Sequence, residues 1–479
     1  MHRRPGTDDG GGVIMTDETT YDLVIVGAGP AGYTAAVKAA QSGMKTACID
    51  RSPRPGGVCL NVGCIPSKTL LDSSALVDAA RNKMADHGIE LADIRVNLSK
   101  MMARKETVIN QLTGQVKKLL DTNHVTLIQG NASLSAPDQV DVIQEDGILH
   151  LKTRFILLAG GSHPVTIPGL NFDGNRIVDS TGALQFDEVP RHLAIVGGGY
   201  IGLELGLVWK RLGSRVTVIE MLPQIAGSLD GQISRTLKRS LTRQGIEFML
   251  KTRVVQASAE DDHVTLTLES GGKAETVICD RVLVAAGRKP ATANLGLETA
   301  GVKTDSKTGF IQVNASYQTR VPNIYAAGDM IPGPMLAHKA SAEGIAAVDA
   351  MNGIESDVNY DTIPSVIYTW PEVGSVGLTE EQVKARNIPY RSAAFPYTGN
   401  GRALCLGETD GLVKLIAHAR TDRILGIHII GPHASEIIGE CTMAMEFGAS
   451  AEDMARVIHS HPTFSEAVMD AARAMTGRS

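Results

Sequence analysis

A short apolar strand that runs straight into a Gly-rich turn and an alanine-rich helix admits few folds, and this chain carries the arrangement twice. Leu23-Val24-Ile25-Val26 leads into Gly27-Ala28-Gly29-Pro30-Ala31-Gly32, a helix ending near Gly43, and a strand Thr46-Ala47-Cys48-Ile49 closed by Asp50. Leu193-Ala194-Ile195-Val196 leads likewise into Gly197-Gly198-Gly199-Tyr200-Ile201-Gly202, a helix, and Val216-Thr217-Val218-Ile219 closed by Glu220. Gly27 to Asp50 and Gly197 to Glu220 span the same interval. Strand, turn and helix in that order form a dinucleotide-binding unit. Gly27 and Gly197 permit the turn, Gly29 and Gly199 let the backbone approach a pyrophosphate, and Gly32 and Gly202 let helix and strand pack closely. The helix N-terminus faces the anion, and Asp50 and Glu220 stand where a ribose hydroxyl is held. A carboxylate at 220 repels a 2′-phosphate and Met221-Leu222-Pro223 offers no arginine, so the second unit is expected to take NAD rather than NADP.

At 479 residues the chain exceeds what one hydrophobic core organises, which argues for about three or four domains. Its net charge of -6 gives no basic field for a phosphate backbone, so nucleic acid is not an expected partner. Gly, Lys, Asp or Arg interrupts every apolar run well short of the roughly 20 residues of a membrane helix, so no span is expected. Arg3 and Arg4 are followed by Asp8, Asp9 and a glycine run instead of an apolar signal segment. Residues 1–20 therefore read as a flexible extension, with Met15 as an alternative start. The 6 cysteines are too few and too scattered for a secreted disulfide framework. Cys48, Cys279, Cys405 and Cys441 stand alone among apolar neighbours and are expected to be buried thiols in a reducing, cytoplasmic setting.

Cys59 and Cys64 differ, because they lie together in Gly56-Gly57-Val58-Cys59-Leu60-Asn61-Val62-Gly63-Cys64-Ile65-Pro66-Ser67-Lys68. A regular helix separates residues five apart by about 7.5 Å of rise alone, beyond the reach of a disulfide, so the backbone is expected to be distorted between them. Pro66 suits a first helical turn and within a longer helix would clash with the Val62 carbonyl. That places Cys64 at a helix start, where partial positive charge favours a thiolate. No second Cys or His cluster has zinc spacing, so no metal site is expected.

This segment resembles the redox loop of the class I pyridine nucleotide-disulfide oxidoreductases, in which two cysteines form a disulfide beside a flavin. The resemblance runs over nearly the whole chain from Tyr21. It implies that Cys59 exchanges with substrate, that Cys64 faces the flavin, and that Lys68 lies near the flavin and pairs with Glu204. Thr319-Arg320-Val321-Pro322-Asn323-Ile324-Tyr325-Ala326-Ala327-Gly328-Asp329 resembles the family's second flavin motif, with Asp329 meeting the ribityl chain. Pro334-Met335-Leu336-Ala337-His338-Lys339-Ala340 is similar to the dihydrolipoamide dehydrogenase branch in particular. Gly57, Lys68, Gly130, Met335, Leu336, Ala337 and Gly287 thus join the glycines and acids above as expected contacts to FAD and NAD. Val58 and Gly160 stand where many relatives carry threonine, and each removes a hydroxyl that bears on flavin affinity.

His459-Ser460-His461-Pro462-Thr463-Phe464-Ser465-Glu466 resembles the family's base segment. His461 would take a proton from dihydrolipoamide and raise its thiolate fraction, and Glu466 would fix the imidazole's tautomer. His459 would stand behind them. The expected fold class is α/β, with two Rossmann-like dinucleotide-binding domains and a C-terminal α+β dimerisation domain. Residues 1–160 form the FAD-binding domain, 161–287 the NAD-binding domain, 288–358 a central segment completing the FAD site, and 359–479 the interface domain. In that last domain Val413 to Ile416 and Ile424 to Ile430 read as strands, with helices from about Ala434 and Ala451.

The resemblance further implies a homodimer with His461 in the partner's active site, serving lipoyl domains of 2-oxoacid dehydrogenase or glycine-cleavage complexes. The expected reaction is oxidation of a protein-bound dihydrolipoyl group, with electrons passing through Cys59/Cys64 and FAD to NAD. A glutathione-reductase-like enzyme is the nearest alternative, against which Glu220 and Ser67 speak. A mercuric reductase needs a further cysteine pair that Met475-Thr476-Gly477-Arg478-Ser479 does not supply. A non-catalytic dinucleotide-binding protein has no use for Cys64, His461 and Glu466 together.

Overall fold

The computed structural model describes residues 19–477, so the alternative start at Met15 lies outside the described residues, with most of the expected extension. Thr19 and Thr20, which that extension was expected to include, instead open the first strand, because they pair in parallel with Leu151 and Lys152. The chain divides into two compact bodies. One comprises Met1–Pro55, Val116–Gly161 and Pro290–Ser356; the other comprises Gly56–Gln115, Ser162–Lys289 and Asp357–Ser479.

In the first body a seven-stranded sheet runs in the order Thr126–Gln129, Thr46–Asp50, Thr19–Val26, Gly147–Leu158, Gln139–Gln144 and Asn131–Ala136. Gly147–Leu158 takes two neighbours in succession, the antiparallel strand Gln139–Gln144 and then, from Ile156, the parallel strand Ile324–Ala326. Leu23, Val24 and Ile25 are fully buried, which is why the sequence there is a continuous apolar run instead of an alternating one. Helix Pro30–Gln41 starts with proline, which lacks only an amide that a first turn leaves unpaired. It buries Ala31, Gly32, Ala35, Ala36 and Ala39, small enough for helix Ala337–Met351 to approach backbone to backbone. A Cβ on Gly344 would lie 2.5 Å from the Ala31 carbonyl oxygen.

The second body holds a parallel sheet ordered Ile246–Leu250, Arg215–Glu220, His192–Val196, Arg281–Val284 and Ile177–Val178. A three-stranded antiparallel sheet, Thr252–Ala259, Val264–Ser270 and Lys273–Cys279, follows it. Helix Tyr200–Leu212 is buried along most of its length, with Trp209 packed on Phe186 at 5.2 Å between ring centroids. The C-terminal part is a five-stranded antiparallel sheet ordered Ser365–Ile367, Glu372–Gly377, Ile424–Gly431, Leu412–His418 and Tyr390–Pro396. Its helices Ala434–Glu446, Ala451–Arg456 and Glu466–Thr476 share one apolar core with the sheet through Ile427, Ile429, Ile438, Ala467 and Ala471. Two Rossmann-like α/β folds and a C-terminal α+β domain are therefore the architecture, as expected.

A buried ionic joint ties the last domain to the second nucleotide-binding fold. Asp230, fully buried, caps helix Gly231–Arg243 and accepts hydrogen bonds at 2.8 and 2.9 Å from Lys414 on the C-terminal sheet. Lys414 also donates to Glu380 at 2.6 Å. Two charges removed from water are tolerable because each finds its counter-ion and further hydrogen bonds.

Cys48, Cys279 and Cys441 are buried thiols, but Cys405 is exposed. It sits on the six-residue helix Gly401–Leu406, which turns only Ala403 inward. The apolar neighbours Leu404 and Leu406 suggested burial, yet Leu404 itself is 60% exposed. Among the described residues no helix is long and apolar enough to cross a membrane, and no cluster of His, Cys, Asp or Glu could hold a metal ion.

Candidate active site

Cys59 lies in a short helix, Gly57–Val62, and Cys64 is the first residue of the next, Cys64–Asn82. Gly63 breaks the backbone between them at φ -136° and ψ -109°, the expected distortion, and Pro66 falls in the first turn, where its missing amide costs nothing. The break lets the two sulfurs hydrogen-bond to one another across five residues. Both are thiols here. The Cys64 thiol is brought down to about 7, first by the hydrogen bond with Cys59 and then, against burial, by the Lys68 ammonium. Cys59 is driven up by the same hydrogen bond and by burial. The pair is thereby polarised, so that Cys64 gives up its proton more readily than Cys59.

Lys68, one turn further along the helix, donates to Glu204 Oε2 at 2.5 Å. Glu204 is nearly fully buried within helix Tyr200–Leu212, and a buried carboxylate needs partners on both oxygens. Ser67 Oγ donates to Oε2 at 3.1 Å and the Tyr368 amide donates to Oε1 at 3.0 Å. The Tyr368 ring meets the Lys68 ammonium at 4.8 Å. Ser67 and Tyr368 were not among the expected site residues. Ser67 stood next to one of them, whereas Tyr368 carries no local signal because some 300 residues separate it from Lys68.

The glycine turns explain their own sequences. Gly27 has φ +109° and a Cβ there would lie 2.3 Å from the Ala159 carbonyl oxygen; Gly197 has φ +109° and the same conflict with Ala285 at 2.5 Å. Asp50 accepts from the Ala28 amide at 2.7 Å and the Ser52 amide at 2.8 Å. Glu220 does likewise with Gly198 at 2.7 Å and Leu222 at 2.8 Å. Each acid thus braces the turn that opens its own helix. A carboxylate offers about four lone-pair sites, so capacity for a ribose hydroxyl is left over. Gly202 and Gly32 admit no side chain, since a Cβ would stand 2.3 and 1.7 Å from the carbonyl oxygens of Gly197 and Gly27. Nothing lies within 4 Å of a Cβ built on Gly199, so the second turn is open on the side where a phosphate approaches. Gly130 and Gly287 close their strands near these turns: Gly130 donates its amide to the Asp50 carbonyl at 2.9 Å, and the Gly287 carbonyl accepts from Val165 at 3.0 Å. Gly57 takes φ +61° at the start of the Cys59 helix.

Asp329 lies in a single 3-10 turn, Gly328–Met330, directly after strand Ile324–Ala326. That corner is gripped from beneath. The Gly328 amide donates to Glu343 at 2.8 Å, its carbonyl accepts from Lys339 at 3.1 Å, and Lys339 and Glu343 form a fully buried ion pair at 3.1 Å. Glu343 was missed, although an acid four residues after Lys339 in an alanine-rich helix is a readable sign. Met335, Leu336 and Ala337 lead into helix Ala337–Met351, whose first amides have no intrahelical acceptor. Gly160, where a threonine hydroxyl is missing, donates its amide to the Met330 sulfur at 2.9 Å.

His461 Nδ1 meets Glu466 Oε1 at 2.9 Å, and the Thr463 amide donates to Glu466 Oε2 at 2.8 Å. Burial raises the Glu466 carboxyl, but the Thr463 amide and His461 outweigh it and hold it below the usual carboxylate range. The imidazole itself is 77% exposed. Phe464 anchors the loop against Tyr397 and His433. His459 turns away, with its Nε2 3.9 Å from Glu440. Among the described residues no hydrogen bond or ion pair joins the His461–Glu466 dyad to the cysteines of the same chain.

Residues 21–344 match the pyridine nucleotide-disulphide oxidoreductase family, and residues 363–472 match that family's dimerisation domain. The chain belongs to this family. FAD and NAD are its cofactors. The chain is 48% identical over 466 residues to dihydrolipoyl dehydrogenase 1, mitochondrial, of Arabidopsis thaliana, covering 97% of this chain and 92% of the relative. It is 46% identical over 456 residues to the mitochondrial dihydrolipoyl dehydrogenase of Sus scrofa, covering 94% and 89%. The solved structure of the HOCl-induced flavoprotein disulfide reductase RclA of Escherichia coli superposes with a TM-score of 0.83 at 28% identity, covering 94% of this chain and 99% of that one. The expected cytoplasmic setting is corrected by these relatives, which are mitochondrial by name. Few, scattered and unpaired cysteines suit a reducing compartment, and that does not distinguish the cytosol from an organelle interior.

Proposed function

We propose that the chain is a dihydrolipoyl dehydrogenase, which oxidises protein-bound dihydrolipoyl groups and delivers the electrons to NAD. The observation that carries this reading is the polarised Cys59/Cys64 pair beside the Lys68–Glu204 ion pair. The residues present fit both cofactors: two glycine turns, in which a Cβ on Gly27, Gly32, Gly197 or Gly202 would strike a backbone carbonyl, each open a helix, are braced by an acid and suit the pyrophosphates of two dinucleotides. Gly27, Gly29, Gly32, Asp50, Gly57, Gly130, Asp329 and Met335 to Ala337 would hold FAD, with Lys68 near its ring. Gly197, Gly199, Gly202, Glu220 and Gly287 would hold NAD. FAD when bound supplies the two-electron relay between sulfur and nicotinamide.

His461 takes a proton from one dihydrolipoyl thiol through Nε2, because Nδ1 is committed to Glu466. The resulting thiolate attacks the sulfur of Cys59 in the oxidised pair, forming a mixed disulfide and releasing Cys64 as thiolate. The leaving sulfur is the one with the lower pKa, which favours attack at Cys59 over Cys64. The second substrate thiol, giving its proton to the departing Cys59 sulfur, then attacks the substrate sulfur of the mixed disulfide, frees Cys59 as a thiol and closes the lipoyl disulfide. Two electrons are left on the cysteines for onward transfer to NAD. Glu466 steadies the imidazolium that forms.

We propose a homodimer, supported by the dimerisation-domain match, in which His461 serves the partner's cysteines; the likeness to dihydrolipoyl dehydrogenases supports lipoyl domains of 2-oxoacid dehydrogenase or glycine-cleavage complexes as substrates. Met443 at 60%, Phe447 at 84% and Ile458 at 95% exposure are large apolar side chains in the matched domain that a second copy would cover. An NAD-linked lipoamide assay with Cys64→Ser tests the reading: turnover should vanish while FAD stays bound. Full turnover in that variant overturns it.

A further inference from the structure

The Lys68–Glu204 pair is completed by a residue from a remote part of the chain. Tyr368 follows strand Ser365–Ile367, the first of the C-terminal sheet. Its backbone and its ring grip opposite members of the pair: the amide donates to Glu204 Oε1 at 3.0 Å, and the ring lies 4.8 Å from the Lys68 ammonium. The segment that presents it is anchored just after Tyr368. The Thr369 hydroxyl donates to the Pro371 carbonyl at 2.8 Å, the Trp370 indole donates to Glu408 at 2.8 Å, and Gln244 donates to the Trp370 carbonyl at 2.5 Å. Such anchoring is more than a half-exposed aromatic side chain needs for its own burial.

We infer that Tyr368 is a positioning residue for the redox pair, its ring fixing the Lys68 ammonium where that charge stabilises the Cys64 thiolate. The inference rests on the function proposed above. The charged and titratable groups facing this point are few: Cys59 and Cys64 from the two cysteine helices, Lys68 from the second of them, and Glu204 from its neighbouring helix. Glu372 and Glu436 act on the Tyr368 phenol from further off and, with burial, push it up. Among the described residues, Lys68 is the cation whose charge lowers Cys64, and its ammonium meets both a carboxylate and a ring face. Glu204 holds it by one carboxylate oxygen. The ring limits its remaining motion, because the face of an aromatic attracts a cation without competing for its hydrogen-bond donors. An ammonium held by Glu204 alone swings on a flexible four-carbon stem.

The test uses the FAD-loaded enzyme in a Cys59→Ser background, where Cys64 cannot form its disulfide. The long-wavelength absorbance that a thiolate gives against oxidised flavin is titrated with pH. Tyr368→Phe should leave the midpoint in place, because the ring is kept. Tyr368→Leu should raise it by about half a pH unit, the size expected of one exposed cation–ring contact. Flavin content checks that the variants fold, and Tyr368→Met replaces the leucine variant if that one loses FAD. An unchanged midpoint without the ring overturns the inference and leaves the proposed function standing, as does an equal shift in the phenylalanine variant. Absence of the band in the Cys59→Ser parent sinks the functional reading and the inference with it.

Discussion

At the scale of single residues, the site assigns separate work to groups of the same chemical type. Cys59 and Cys64 sit five residues apart yet are polarised in opposite directions. Asp50, Glu220 and Glu466 are all carboxylates, but two brace a backbone turn while the third holds an imidazole. Replacing Glu466 with glutamine removes the charge that orients His461 and lets the amide present the wrong partner to Nδ1. A loss of about 100-fold in kcat for lipoamide oxidation is expected, in the range of positioned acid–base groups, with KM little changed; steady-state kinetics at saturating NAD measures it. The residues that were legible beforehand share one property: their meaning lies in short spacing. Gly27 to Gly32, Cys59 to Cys64 and His461 to Glu466 each fall within six residues. Tyr368 and the Glu204 partner of Ser67 were harder because the contact is made only when distant segments fold together. Cys405 misled for a related reason, since apolar neighbours in sequence do not say which way a six-residue helix turns.

At the scale of elements, the strands and helices around the turns were readable from their apolar runs, and Pro66 announced the start of the second cysteine helix. The joint between Asp230, Lys414 and Glu380 was not, because three isolated charges in separate elements carry no pattern. Its energetics are open to measurement through pH. The Glu380 carboxyl is lowered from 4.5 to about 2, first by Lys384 and then by Lys414. A folded-state pKa below the unfolded one contributes stability that is fully present above about 4.5 and is lost as pH falls toward about 2. Glu380→Gln should therefore melt at lower temperature than the parent near neutrality. That gap should close progressively in acid, and thermal melts between about pH 7 and pH 3 follow it. A gap independent of pH would assign the difference to packing instead of charge.

At the scale of the whole molecule, no hydrogen bond or ion pair among the described residues joins the dyad to the cysteines of one chain, and the dimer proposed above assigns the dyad to the partner's cysteines. Hybrid dimers of a Cys64→Ser subunit with a His461→Gln subunit test it. If each base serves the other subunit's cysteines, one of the hybrid's two sites is intact, so the isolated hybrid of two inactive variants should show about half the parent's activity, and a random re-associated mixture about a quarter. No recovery in verified hybrids would place base and thiols in the same chain. The buried contact of Lys414 with Asp230 bears on how such a protein can be taken apart. A fragment cut before the C-terminal sheet strips Asp230 of its counter-ion and uncovers the apolar side chains that share a core with Ile367, Val373 and Ile430. The nucleotide-binding half is thus not a portable module, and any attempt to borrow it for another scaffold has to bring along a replacement ammonium or neutralise the helix cap.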